Sequence, residues 1–235
     1  MVALDVHSVE AAEQIVNRLR GIPCWMKVGM QLYYAAGPDF VRKLKHLGYS
    51  VFLDLKMHDI PNTVKGGASS ITRLGVDMFN VHAAGGLKMM KAAIEGVEEA
   101  VASGNTPFGS TNRPIVIGVT QLTSTGQAML NDEIGIQGTV EQSVLRYAEL
   151  SSLAGLQGVV ASPHEVIAIK QRLGSDFITV TPGIRPAGAD VLDQTRVMTP
   201  AEAFAQGTDY IVIGRPITAA SDPRIAMETL LEELI

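Results

Sequence analysis

Short apolar runs rich in β-branched residues alternate with longer amphipathic stretches from one end of this chain to the other. Parallel βα units produce that rhythm, because a strand covered on both faces reads as a continuous apolar run while the helix covering it carries a single apolar stripe. About eight units can be counted, the number that closes a (β/α)8 TIM barrel. The strand candidates are residues 2–6, 25–28, 50–55, 78–81, 115–119, 158–160, 177–181 and 210–213. A length of 235 residues matches one such barrel, so a single α/β catalytic domain is expected over residues 1–235.

Helix starts are marked chemically. Ser8 precedes Val-Glu-Ala, Pro38 precedes Asp-Phe-Val, Pro61-Asn62 precedes Thr-Val-Lys, Ser162 precedes Pro163, and Thr199 stands three residues before Glu202 in capping-box spacing. Three segments break the rhythm. Residues 103–114 are polar and turn-rich, but they join a helix to a strand and so fall on the face away from the chemistry, as an inert insertion. Residues 121–138 and 182–198 follow strands and rise above the C-terminal face, which makes them candidate substrate lids.

Hydrophobic residues form 46% of the chain and charged ones 18%, ample for a large core. With a formal net charge of −5 and no stretch rich in Lys and Arg, a broad surface for nucleic acid or anionic lipid is not expected, so an anionic ligand must be gripped locally. No apolar run reaches the roughly 20 residues of a membrane span, and residues 1–5 read as a strand under way rather than a secretory signal. Cys24, the sole cysteine, excludes an internal disulfide and a cysteine metal cluster, fits a reducing cytoplasm, and reads as a small buried core residue.

The densest chemical signal is Asp54-Leu-Lys56-Met-His58-Asp59-Ile-Pro-Asn-Thr63 at the end of the third strand candidate. Side chains alternate along a strand, so Asp54 and Lys56 should point together into the barrel mouth, with Asp59 beyond on the loop. Lys27 ends the second strand and Asp5 the first. One ion pair could simply close a barrel end, but this many charges at C-terminal strand ends point to chemistry, since burial of charge contributes nothing a barrel needs for stability. His58 and His82 lie close by, and orienting or packing roles are expected for both.

A second cluster comes late: Thr181-Pro182-Gly183-Ile184-Arg185, then Gln194, then Ile213-Gly214-Arg215-Pro216. In barrels the loops after the last two strands commonly cradle phosphate, with glycine letting backbone N–H groups approach and arginine adding charge-assisted hydrogen bonds.

Asp54, Lys56 and Asp59, followed by Ile60-Pro61-Asn62-Thr63, resemble the active-site run of the orotidine 5′-phosphate decarboxylases. Residues 2–6, Lys27-Val-Gly, Thr120-Gln-Leu-Thr123-Ser, Thr181-Pro-Gly-Ile-Arg185 and Ile213-Gly214-Arg215-Pro-Ile are similar to that family's bacterial pattern, in the same order along essentially the whole chain. The resemblance implies conversion of orotidine 5′-monophosphate to uridine 5′-monophosphate and CO2 without metal or cofactor. It implies Lys56 as the proton donor, kept charged by its carboxylate neighbours, within a Lys27–Asp54–Lys56–Asp59 array. By the same resemblance Asp5 and Lys27 hold ribose hydroxyls, Thr123 meets the pyrimidine edge and Pro182 lines the base pocket. Arg215, the Gly214 backbone and Gln194 take the phosphate, with Arg185 at the loop base. A homodimer is implied, with Asp59 and Thr63 acting in trans; Asp59 either strains the ground state or orders the array.

Two other readings remain at this stage. Mg2+-dependent phosphosugar decarboxylases and hexulose-phosphate synthases of the same wider group share the D-x-K-x-x-D run, yet resemble one another in an acidic metal ligand at the end of strand two, where this chain has Lys27, which repels a cation. A non-catalytic phosphoribosyl sensor would be expected to lose Lys56 or an aspartate first.

Overall fold

The structure, a computed structural model, describes residues 1–104, 113–186 and 198–234. Eight parallel strands run in chain order: β1 (Val2–Ala3), β2 (Trp25–Gly29), β3 (Ser50–Met57), β4 (Met78–His82), β5 (Ile115–Val119), β6 (Gly158–Val160), β7 (Ile178–Thr181) and β8 (Tyr210–Ile211). Val2 also bridges Ile213 in parallel, with Ala3 N–H donating to the Ile213 carbonyl at 2.8 Å, so the last strand meets the first and the (β/α)8 barrel closes. The strand positions follow the apolar runs, although β1 and β8 are shorter than 2–6 and 210–213. Their pairing continues as single hydrogen bonds, as from Leu4 N–H to the Lys27 carbonyl at 2.9 Å.

The helices between strands are α1 (Val9–Arg18), α2 (Met30–His46), α3 (Pro61–Thr72), α4 (Gly86–Ala102), α5 (Val140–Leu153), α6 (Val166–Leu173) and α7 (Pro200–Ala205), followed by α8 (Arg215–Thr218) and α9 (Pro223–Glu232). The expected caps form: the Ser8 side chain accepts from Ala11 N–H, and Thr199 and Glu202 close a capping box. At Pro38 the outcome differs. Helical turns already begin at Met30, break at Gly37 (φ 68°), and resume at Pro38, which therefore opens the second half of a kinked helix. The α3–α4 pair packs so closely that a Cβ on Gly96 would lie 2.2 Å from the Lys65 carbonyl oxygen, a distance only glycine avoids.

Burial divides the strands by parity. Val2, Leu4, Val51, Leu53, Phe79 and Val81 belong to the large cluster beneath the helices, whereas the alternate positions Ala3, Phe52, Met78, Ile117, Val180 and Val212 form a separate buried cluster inside the barrel. Trp25 and Tyr210 join it with ring centroids 5.4 Å apart in edge contact. This apolar plug is the floor on which the strand-end residues stand. Cys24 is half-buried against the outer core rather than fully inside it, and burial pushes its thiol pKa up. Among the described residues no helix is long and apolar enough to cross a membrane.

Candidate active site

Two residues beyond the plug, on the same inward parity, the chemistry changes. Trp25 is followed by Lys27, Phe52 by Asp54 and Met78 by Asn80, and all three polar side chains are buried. The Lys27 ammonium lies 3.0 Å from Asp5 Oδ1 and 3.4 Å from Asp54 Oδ2, while the Lys56 ammonium donates to Asp54 Oδ1 at 2.7 Å. Asp54 thus sits between two lysines. Burial alone would raise its carboxyl pKa, but Lys27, Lys56 and a hydrogen bond from Asn80 outweigh that and hold it below the usual carboxylate range. Gly29 lets the cluster fit, since a Cβ there would come 2.8 Å from Asp5 Oδ1 and 3.1 Å from Lys27 Nζ.

Asp54 and Lys56 do converge, though not by simple pleating. The β3–β4 register pairs Leu53 with Phe79 and then Met57 with Val81, so Asp54, Leu55 and Lys56 stand opposite the single residue Asn80. Lys56 takes φ 52°, the sole non-glycine positive φ among the described residues. A left-handed lysine costs on the order of 1–2 kcal/mol, and such strain collects where function demands it.

The strand ends open into a cleft of about 630 Å³. Its lining includes Asp5, Lys27, Asp54 and Lys56 after the first three strands, Thr123 after β5, and Pro182, Arg185, Gly214 and Arg215 after the last two. Arg215 opens α8 directly after Gly214, its N-cap. Arg185 is buried, and its backbone N–H donates to the Met198 carbonyl at 3.0 Å. Residues 122–124 reach the cleft, whereas 127–138 fold back on themselves: the Gln127 side-chain amide donates to the Gly138 carbonyl at 2.7 Å and that of Asn131 to the Ile136 carbonyl at 2.6 Å. Gln194 and the middle of the 182–198 lid candidate lie outside the described residues, as does most of the 103–114 connection.

Asp59 and Thr63 are placed differently. Both are exposed and neither lines the cleft; Asp59 Oδ1 accepts the Ile60 N–H at 2.6 Å, and Ile60 beside it is 66% exposed. His58 and His82 also stay off the cleft wall, their ring centroids 5.7 Å apart. Burial lowers the His82 pKa, helped by His58 and Lys56 and opposed by Asp54.

Asn80 and Gln121 escape a reading of the sequence. Asn80 is 1% exposed within an otherwise apolar strand, and Gln121, whose side-chain amide donates to Ser143 Oγ at 3.0 Å, lines the cleft beside Thr123. A polar amide inside or just past an apolar strand is the only trace either leaves in the sequence. No group of three or more His, Cys, Asp or Glu side chains placed to hold a metal ion occurs among the described residues.

Residues 1–230 match the family model described as "Orotidine 5'-phosphate decarboxylase / HUMPS family". The chain is 52% identical over 234 residues to an orotidine 5′-phosphate decarboxylase of Moorella thermoacetica, covering 100% of this chain and 91% of that protein. It is 53% identical over 234 residues to one from Streptococcus pneumoniae, covering 99% of this chain and 95% of that protein. A crystal structure of orotidine 5′-phosphate decarboxylase from Lactobacillus acidophilus superposes with a TM-score of 0.86 at 42% identity, covering 99% of this chain and 97% of that one.

Proposed function

This chain belongs to the orotidine 5′-phosphate decarboxylase / HUMPS family and converts orotidine 5′-monophosphate to uridine 5′-monophosphate and CO2, the last step of UMP biosynthesis, and from that premise we propose how its residues perform the reaction. The observation that carries the reading is the Lys27–Asp54–Lys56 network at the foot of the cleft, with Lys56 Nζ 2.7 Å from Asp54 Oδ1.

Breaking the bond from C6 to the carboxylate leaves an electron pair on C6. The Lys56 ammonium, fixed before the substrate arrives, stabilises that pair and then transfers a proton to C6, releasing uridine 5′-monophosphate; Lys56 regains its proton from solvent. Asp54 fixes the direction of the lysine, and its two lysine neighbours keep it ionised. Asp5 and Lys27 bind the ribose hydroxyls, Thr123 the pyrimidine edge, and Pro182 packs on the base. Arg215, the Gly214 N–H and Gln194 take the phosphate, with Arg185 supporting the base of the 182–198 loop. Phosphate binding far from C6 supplies the free energy that closes the loop and excludes water.

The array is completed by a second copy of the chain. Exposed Asp59 and Thr63 sit outside their own cleft, beside exposed Ile60, and Met30 and Leu122 at the cleft rim are also exposed. An acidic residue beside an uncovered apolar one suits a homodimer in which Asp59 enters the partner's cleft near the departing carboxylate and Thr63 nears its ribose. Cytoplasmic operation without metal or cofactor fits this chemistry.

Purified protein added to orotidine 5′-monophosphate is expected to convert the orotate absorbance band into that of uracil, equally with and without EDTA. Lys56→Ala should lower kcat by at least about 10³-fold while uridine 5′-monophosphate still binds. Dependence on a divalent cation would favour the phosphosugar-type chemistry, and an active Lys56→Ala protein would overturn the reading.

A further inference from the structure

We propose that Asn80 is a positioning residue for the decarboxylation, clipping both ends of the β3 bulge so that Asp54 and Lys56 are held in their working geometry. The inference rests on the reading that Asp54 and Lys56 carry the chemistry.

Where three residues of β3 face one of β4, the regular ladder cannot supply every hydrogen bond. The Asn80 side chain substitutes for it. Its Oδ1 accepts the Lys56 backbone N–H at 2.8 Å, and its Nδ2 donates to Asp54 Oδ1 at 2.7 Å. One amide therefore holds the backbone of the left-handed residue (φ 52°) and the carboxylate that residue's ammonium binds. Asp54 Oδ1 receives both the Lys56 ammonium and the Asn80 amide, which leaves Oδ2 toward Lys27.

The chemistry selects the side chain. A backbone N–H requires an acceptor and a carboxylate requires a donor, so the two ends of the amide are assigned by their partners. Aspartate has the same shape but offers Asp54 a second acceptor. Alanine and leucine offer nothing to either end, and glutamine is one methylene too long for a site that is 1% exposed. Without Asn80 the part-buried Lys56 N–H loses this acceptor and its φ is freer to relax out of the left-handed region. The Lys56 ammonium would then be displaced from where C6 carries its electron pair. Thr123, Arg185 and Arg215 stand after β5, β7 and β8 rather than on β3 or β4, and Lys27 keeps its own contact with Asp5 at 3.0 Å, so the binding of sugar and phosphate should largely survive its loss.

The test compares Asn80→Ala and Asn80→Asp with wild type in kcat, KM, uridine 5′-monophosphate affinity and thermal midpoint, with Lys56→Ala beside them. Asn80→Ala is expected to lower kcat by about 10²-fold, the order that a displacement near 1 Å brings, with KM and nucleotide affinity within about threefold of wild type on the same ground that the ligand grip is spared. In Asn80→Asp the new carboxylate meets Asp54, which is also faced by Lys27 from β2, Lys56 from its own strand and His82 from β4, with Asp5 beyond Lys27. Like charge raises the pKa of one of the carboxyl pair, so the acid limb of the kcat–pH profile should move to higher pH. A loss of kcat below threefold in both variants, or one that follows the unfolded fraction, would overturn the proposal, and if Asn80→Ala does not fold, the isosteric Asp variant decides alone. Active Lys56→Ala would instead sink the reading of the site, whereas inactive Lys56→Ala with unimpaired Asn80 variants removes the Asn80 inference only.

Discussion

The barrel interior has two storeys built by the same strands with the same parity. The lower holds Ala3, Phe52, Met78, Ile117, Val180 and Val212, and the one above it, two residues further along β2, β3 and β4, holds Lys27, Asp54 and Asn80. The lower storey keeps plain strand geometry and contributes apolar burial. The upper one carries the bulge, the left-handed lysine and a carboxylate paired with two ammonium groups. Stability and chemistry are thus separated along a strand by about 7 Å, two residues of rise, and a substitution in one storey should be legible in a different observable from a substitution in the other.

The sharpest contrast sets Met78→Ala against Asp54→Asn. Met78 is fully buried within the plug and does not line the cleft, so its truncation should cost about 2–5 kcal/mol of stability and leave kcat per folded molecule within a few fold. Asp54→Asn should do the reverse, lowering kcat by roughly 10²-fold with a modest shift in midpoint. Met78→Ala enzyme that is stable but slow would break the comparison. The pH dependence follows the same logic. The folded-state pKa of Asp54 is depressed, so its contribution is present above the unfolded carboxylate value and is lost as pH falls through the folded one; below about pH 4 the stability of Asp54→Asn should decline less steeply than that of wild type. A smaller effect is expected at the phosphate cradle: Arg215→Ala should reduce kcat/KM for the nucleotide by roughly 10- to 100-fold, the worth of charge-assisted hydrogen bonds, without changing the melting midpoint. Unchanged kcat/KM would remove Arg215 from the phosphate cradle.

The lower storey was legible in the sequence because period-2 burial writes itself directly into apolar runs, and Thr199 with Glu202 announced a helix start by local spacing alone. The charges at the strand ends were legible for a related reason: Lys27 and Asp54 interrupt apolar strands where nothing structural requires them. The bulge was hidden. Asp54-Leu-Lys56 reads as ordinary alternation, and the residue that makes its irregular path tolerable, Asn80, lies 24 positions beyond Lys56 in sequence. Gly29 was visible as part of a motif, but the close approach of Asp5 and Lys27 that excludes a Cβ there exists only after the first two strands have paired. Pro38 looked like a helix start and proved to restart a helix already running, because Gly37 takes a left-handed turn that its neighbours do not reveal.

The array proposed above takes its fourth charge from Asp59, which is exposed and does not line the cleft of its own chain. Mixing separately inactive Lys56→Ala and Asp59→Ala proteins under conditions that exchange subunits tests directly whether a second chain supplies it. If sites are shared, half the dimers are mixed and each regains one intact site, so activity should rise from near zero to about a quarter of wild type, as two-fold symmetry requires. A mixture that stays as inactive as its two components would mean that each cleft works with its own Asp59, and would contradict the account.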